Sequence, residues 1–229
     1  GWGHTCGIKD DGSVVCWGYN EWGQSDPPQI FFQSMSAGAS HACGVKPGGS
    51  IECWGDDQFG QSTPPASGPG EEFVSVSAGW GHTCGVTKGG NIDGRVVCWG
   101  EEDVVASTPD EQFSSVSAGQ GHTCGVKLDG SVTCWGYGAD GQTSPPGGNN
   151  FTSVSAAAFY TCGLKTDGFV ECWGMDLFGQ VSTVPQVAFQ SISAGSHSIC
   201  GIKTDGNVAC WAEEGGDPSD CPSGSFQSV

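Results

Sequence analysis

The sequence predicts an all-β fold, a six-bladed β-propeller, and three observations carry that prediction. A unit of about forty residues recurs six times, two cysteines in each unit bracket a strand-turn-strand pattern, and a strand of small residues precedes each hairpin. The first cysteines stand at 6, 43, 84, 124, 162 and 200, in steps of 37, 41, 40, 38 and 38 residues. The units fall at about 1-37, 38-78, 79-118, 119-156, 157-194 and 195-229. A length of 229 residues is within reach of one large all-β domain, so 1-229 reads as a single domain.

The first element of each unit is Phe-x-Ser-Val-Ser-Ala-Gly, as in Phe73 to Gly79 and Phe113 to Gly119, with variants at Phe32, Phe151 and Phe189. Small side chains suit the strand nearest a propeller axis, where the taper is narrowest. The last copy is Phe226 to Val229, while the sequence opens at Gly1 inside a unit. Joining this strand to the first hairpin would close a ring of six blades and remove its open edges. The alternative is a stretch of a longer array.

The second element is the hairpin. Cys124 and Cys134 are ten apart about Asp129, and a loop of Leu128, Asp129 and Gly130 sets them opposite each other. Such loops favour a type I turn followed by a left-handed glycine, the slot held by Gly12, Gly49, Gly130, Gly168 and Gly206. Facing cysteines suit one disulfide per blade: Cys6 with Cys16, Cys43 with Cys53, Cys84 with Cys98, Cys124 with Cys134, Cys162 with Cys172, and Cys200 with Cys210. Cys221 is left over, free, bonded to a small thiol, or the link of a disulfide-linked dimer. So many cysteines suit an oxidising compartment, and the expected location is extracellular, a secreted protein.

A glycine follows every first cysteine and a tryptophan every second one. The glycine lies diagonally across from the tryptophan, so it is expected to make room for the indole, and Trp17, Trp54, Trp99, Trp135, Trp173 and Trp211 to wedge between blades. The third element, after Trp-Gly, ends in Gly-Gln at Gly23-Gln24, Gly60-Gln61, Gly141-Gln142 and Gly179-Gln180.

The order Gly-x-x-His, Asp-Gly-x-Val, Trp-Gly and Gly-Gln resembles the repeat of the regulator of chromosome condensation family, over essentially the whole chain. The resemblance implies a β-propeller with about four strands per blade. Family members commonly have seven blades, so six departs from the usual pattern. The paired cysteines look more like secreted variants, a group that includes the propeller-type β-lactamase inhibitory protein. The guanine nucleotide exchange of the chromatin-bound nuclear member does not carry over. Lys9, Lys46, Lys88, Lys127, Lys165 and Lys203 occupy or adjoin one repeated hairpin position, and only Arg95 stands apart. With a net charge of −18 the chain lacks a basic patch for phosphates, so no nucleic acid is expected. No apolar run is long enough for membrane insertion.

Catalytic residues and cofactors are not expected. His4, His41, His82 and His122 share one slot two residues before the first cysteine, replaced by Tyr160 and Ser198 in the last two blades. A broken ring without recurring carboxylates reads as hydrogen-bonded structure rather than a metal site. The turn acids Asp11, Asp129, Asp167 and Asp205 are turn formers. No nucleophile elbow, phosphate-cradling loop or paired acid and base is present, so the protein is not expected to be an enzyme.

Function is expected where the blades differ. If the Ser-Val-Ser-Ala strand runs up, the Gly-x-x-His turns and the segments after Trp-Gly share the upper face. That face collects Trp2, Trp80 and Phe159, then Tyr19, Trp22, Phe59, Tyr137, Met175 and Phe178. Acids are interleaved: Asp56, Asp57, Glu101, Glu102, Asp103, Asp140, Asp176, Glu213 and Glu214. Trp22, Phe59 and Phe178 share one slot before Gly-Gln, which reads as packing between blades. The candidate ligand-binding residues are Trp2, Trp80, Phe159, Tyr19, Tyr137, Glu101 and Glu102, on aromatic and loop-scaffold grounds. The partner is then an extracellular protein, basic enough to meet the acids, or a glycan if the protein is a multivalent lectin. Asn150-Phe-Thr is a glycosylation acceptor in a polar connection.

Overall fold

The computed structural model describes residues 1, 3–66, 70–90 and 93–212. Six antiparallel sheets follow one another along the chain. Blade one holds β1 (His4–Ile8) and β2 (Val14–Gly18), and blade two β3 (Ser34–Ala37), β4 (His41–Val45) and β5 (Ile51–Gly55). Blade three holds β6 (Glu71–Ala78), β7 (His82–Gly89) and β8 (Val96–Gly100), followed by the short helix α1 (Glu102–Ala106). Blade four is β9 (Phe113–Ala118), β10 (His122–Lys127) and β11 (Val132–Gly136), and blade five β12 (Phe151–Ala156), β13 (Tyr160–Lys165) and β14 (Val170–Gly174). Blade six is β15 (Phe189–Ala194), β16 (Ile199–Lys203) and β17 (Val208–Trp211). Five sheets are three-stranded and the first is two-stranded, so the fourth strand implied by the resemblance is not found among the described residues. Its place after Trp-Gly is taken by loops, in blade three by α1.

The hairpins follow their sequence pattern. Each paired cysteine faces its partner across the middle and outer strands, and all six disulfides form as paired above. The turn glycines take left-handed φ values, 82° at Gly130, and the Gly130 N–H donates to Lys127 O at 3.0 Å. The next blade is stitched to this turn, for the N–H of Phe73, Phe113, Phe151 and Phe189 donates to the carbonyl of Gly49, Gly94, Gly130 and Gly168 respectively.

In blades two to six the glycine after the first cysteine makes room first of all for a phenylalanine rather than for the indole. A β-carbon on Gly85 would stand 2.5 Å from Phe73 Cδ1, and one on Gly201 2.5 Å from Phe189 Cδ1. That phenylalanine comes from the inner strand of the same blade and packs on the blade's tryptophan, as in Phe73–Trp99, with ring centroids 6.1 Å apart. The tryptophans do reach across seams: the indole N–H of Trp54, Trp99 and Trp173 donates to Gln24 O, Gln61 O and Gln142 O of the preceding blade.

The Ser-Val-Ser-Ala strand is small for a second reason besides taper. The hydroxyls of Ser36, Ser77, Ser117 and Ser155 accept the N–H of Ala78, Ala118, Ala156 and Ala194 in the following blade. These bonds satisfy strand-edge donors that would otherwise be orphaned around the axis.

Blade one differs from its sisters. Trp17 is 57% exposed, whereas its five counterparts are all 9% or less. A β-carbon on Gly7 would meet only Trp17, at 4.0 Å, in place of a phenylalanine ring. The strand expected to cover this edge, Phe226 to Val229, lies outside the described residues, as do Trp2, Glu213, Glu214 and Cys221.

Candidate functional site: an aromatic and acidic rim around a central cavity

The Ala-Gly segments that end the inner strands converge on a cavity of about 720 Å³. Its wall is built of small residues, among them Ala37, Gly38, Ala78, Gly79, Ala118, Gly119, Ala156 and Ala194. Backbone bonds belt it, the N–H of Ala39, Trp80 and Gln120 donating to Gly79 O, Gly119 O and Ala157 O.

The glycines of this wall answer to the histidines behind it. A β-carbon on Gly38 would stand 2.6 Å from His41 Cε1, and one on Gly79 2.7 Å from His82 Cε1. His41, His82 and His122 are fully buried, and each Nε2 bonds a threonine hydroxyl of the next blade: Thr83, Thr123 and Thr161. Burial pushes their pKa values down to about 4, 3 and 4. In blade five Ala157 stands where the glycine was and Tyr160 where the histidine was, and its hydroxyl donates to Gly195 O at 2.7 Å. In blade two Ala42, which has no hydroxyl, holds the threonine position, and neither ring nitrogen of His4 has a partner among the described residues. His41, His82 and His122 are therefore hydrogen-bonded structural residues, as the sequence suggested, and their bonds cross the seams, whereas His4 lacks such a bond among the described residues.

The two variable loop sets do share the face around this cavity. Backbone N–H groups of Tyr19, Asp56, Glu101, Tyr137 and Met175 donate to the carbonyls of Gly3, Ser40, Gly81, Gly121 and Phe159, which clips each outer loop to the inner turn of its own blade. Trp80 and Phe159 line the cavity itself, together with Gln120, Ser196 and His197, which the sequence reading did not single out. These three occupy the variable positions of Gly-x-x-His, so their signal was the variation within a fixed motif. Tyr19 and Tyr137 lie further out, 50% and 53% exposed, and their β-carbons stand beside Gly3 and Gly121. Glu102 is exposed on α1.

The residues before Gly-Gln bridge blades while staying at the surface. Phe59 of blade two packs on Trp80 of blade three with centroids 5.8 Å apart, and Phe178 of blade five on His197 of blade six at 5.2 Å. The buried glutamines beneath hold these loops, since Gln61 Oε1 accepts the Phe59 N–H and Gln180 Oε1 the Phe178 N–H. Three of the rim acids are also loop builders: Asp56 accepts from Gln58 N and Gln61 Nε2, Asp57 from Ser62 N and Thr63 Oγ1, and Asp176 from Val181 N.

Charge is segregated between the faces. All seven lysines and arginines flank the hairpin turns at the opposite end of the strands, and six are in ion pairs: Lys46–Glu52, Lys88–Glu72, Arg95–Glu71, Lys127–Glu111, Lys165–Glu171 and Lys203–Asp205. Exposed Asn150 lies at that end too, its carbonyl bonded to Thr166 N.

The family profile described as "Regulator of chromosome condensation (RCC1) repeat" matches residues 1–24, 32–61, 73–103 and 113–142, just over half of the chain. The chain belongs to this family. Among solved structures, this RCC1-repeat propeller is similar to the entire ectodomain of the receptor kinase CR4 from Physcomitrella patens, at 26% identity and a TM-score of 0.82. The match covers 95% of this chain, which spans 63% of that one. The CRINKLY WD40 ectodomain of the Arabidopsis thaliana receptor kinase ACR4 is 27% identical with a TM-score of 0.55, over 97% of this chain and 94% of that one. Prp20p from Saccharomyces cerevisiae, whose structure is described with its binding to Gsp1p and histones, shares the fold at 16% identity and a TM-score of 0.77, over 92% and 70%. No sequence among curated proteins matches. Intrachain disulfides and ectodomain neighbours are consistent with an extracellular location, and no helix among the described residues is long and apolar enough to cross a membrane.

Proposed function

We propose that this propeller is a secreted, non-enzymatic recognition protein whose cavity-bearing loop face binds a basic protein partner. The observation that carries this reading is the segregation of charge: every lysine and arginine is at the hairpin end, six of the seven in ion pairs, while the cavity end presents acids and exposed aromatics. Such a field steers a cationic partner toward one face, and half-exposed Trp and Tyr side chains on clipped loops supply rigid anchors. The seams that a lectin would need as repeated sugar clefts are filled at three blades by bonded indoles, so protein binding is the better supported reading.

The test is capture from extracellular extract at low salt on immobilised wild-type protein, with Trp80→Ala and Phe159→Ala surfaces run in parallel. The expected result is a basic protein retained by wild type, released by salt and lost from both variants. A partner held equally by all three surfaces, or one indifferent to salt, would refute this face as the binding site.

A further inference from the structure

Resting on the proposed reading, a more specific site stands where blades two and three meet. Trp80 and Phe59 form a tilted ring pair, 40% and 46% exposed, at the lip of the cavity. Beside it, Gly81 leaves an opening: a β-carbon there would stand 3.1 Å from Phe59 Cδ2 and 3.5 Å from Glu101 Oε2. The Glu101 carboxylate and the edge of the Phe59 ring therefore border the same opening. Glu101 is the N-cap residue of α1, yet its side chain makes no capping bond. Nor does the carboxylate meet a cation among the described residues, since every lysine and arginine is at the other end of the blades. Its backbone N–H is fixed to Gly81 O at 2.9 Å, which holds the side chain over this opening.

We propose that Trp80, Phe59 and Glu101 form an anchor site for one arginine side chain of the protein partner. The chemistry is that of a planar guanidinium, which stacks on an aromatic face and offers paired N–H donors to a carboxylate. A lysine ammonium gains the charge but not the stacking. Burial and the neighbouring Asp103 both raise the carboxyl pKa of Glu101, so the unliganded site carries an electrostatic penalty that a bound cation relieves. At the seam of blades five and six, Phe178 meets His197 in place of a tryptophan, and Glu213, which holds the position of Glu101 in that blade, lies outside the described residues.

The experiment is an NMR titration of the intact protein followed at the backbone amide and indole N–H signals, with the Trp80 indole signal assigned from Trp80→Phe. The probes are capped Gly-Arg-Gly, Gly-Lys-Gly and Gly-Glu-Gly, and a longer peptide of alternating Gly and Arg. Gly-Arg-Gly is expected to shift the Trp80 signal saturably, more tightly than Gly-Lys-Gly, with no shift from Gly-Glu-Gly. Glu101→Gln, which removes only the charge, is expected to weaken the arginine probe about fivefold. An unmoved Trp80 signal, or one insensitive to Glu101→Gln, overturns the anchor. If the longer peptide then still perturbs Gln120 and Phe159, the basic-partner reading survives without this site. If nothing on the cavity face responds, both fail.

Discussion

His41 Nε2 lies 2.7 Å from Thr83 Oγ1, and the direction of this bond is fixed by a third group. Thr83 gives its own hydroxyl proton to Gln61 O at 3.0 Å, so the imidazole must be the donor and His41 is the neutral tautomer protonated on Nε2. One buried chain thus joins blade two to blade three. Thr83→Val keeps the shape and removes the hydroxyl, leaving an N–H buried without its acceptor. A loss of about 1–3 kcal/mol is expected in urea unfolding.

The same relation predicts a gain at the seam between blades one and two. Across from blade one, Ala42 occupies in blade two the position that Thr83 holds in blade three and is fully buried, while His4 has no hydrogen-bond partner among the described residues. Ala42→Thr supplies the missing hydroxyl to His4 and the expected result is stabilisation by about 1 kcal/mol. An unchanged or lower unfolding midpoint would mean that the blade-one seam has no room for the group.

Acid should unfold the protein through these seams. His41 and His122 take up a proton near pH 4 and His82 near 3 when folded, against 6.5 for the ordinary group. Between those values the unfolded chain binds more protons than the folded one, so stability falls as pH drops from about 6.5 toward 4. Above 6.5 these groups are neutral in both states and contribute no pH dependence. Urea midpoints across this range check the sign, and His82→Gln should flatten the slope.

Glycine replacements separate packed from open positions. Gly85→Ala drives a methyl into Phe73 and should cost about 1–3 kcal/mol, whereas Gly147→Ala, with nothing within 4 Å, should be near neutral. Gly7→Ala reads the closure expected from the sequence. If Phe226 to Val229 cover blade one as the other inner strands cover theirs, Gly7→Ala is as costly as Gly85→Ala. A neutral result would count against that closure.

Much of the architecture was legible because it repeats. The cysteine pairs, the turn glycines and the hairpin lysines recur at fixed offsets, and a recurring offset in a chain of small units is a statement about local geometry. Trp80 and Phe159 were also visible, as aromatic side chains at the variable positions of the Gly-x-x-His turn. What Gly-Gln does was not visible, because a buried glutamine that holds its own loop and lends its carbonyl to a neighbour's indole combines contacts about thirty to forty residues apart. The role of the glycine after the cysteine was misassigned for the same reason: the ring that fills its space, Phe73 at Gly85, arrives from another strand.

The sequence by itself determined the number of repeated units, the disulfide partners and the sign of the charge, since all three depend on composition and on contacts within one hairpin. Only the tertiary structure decided which aromatic rings meet across a seam and which acids pair with a cation. Phe59 and Trp80 belong to different blades, and Glu101 comes to the opening at Gly81 because the backbone of blade three clips its outer loop to its inner turn. Such a site is set by the angle at which neighbouring sheets pack, and no single repeat contains that angle.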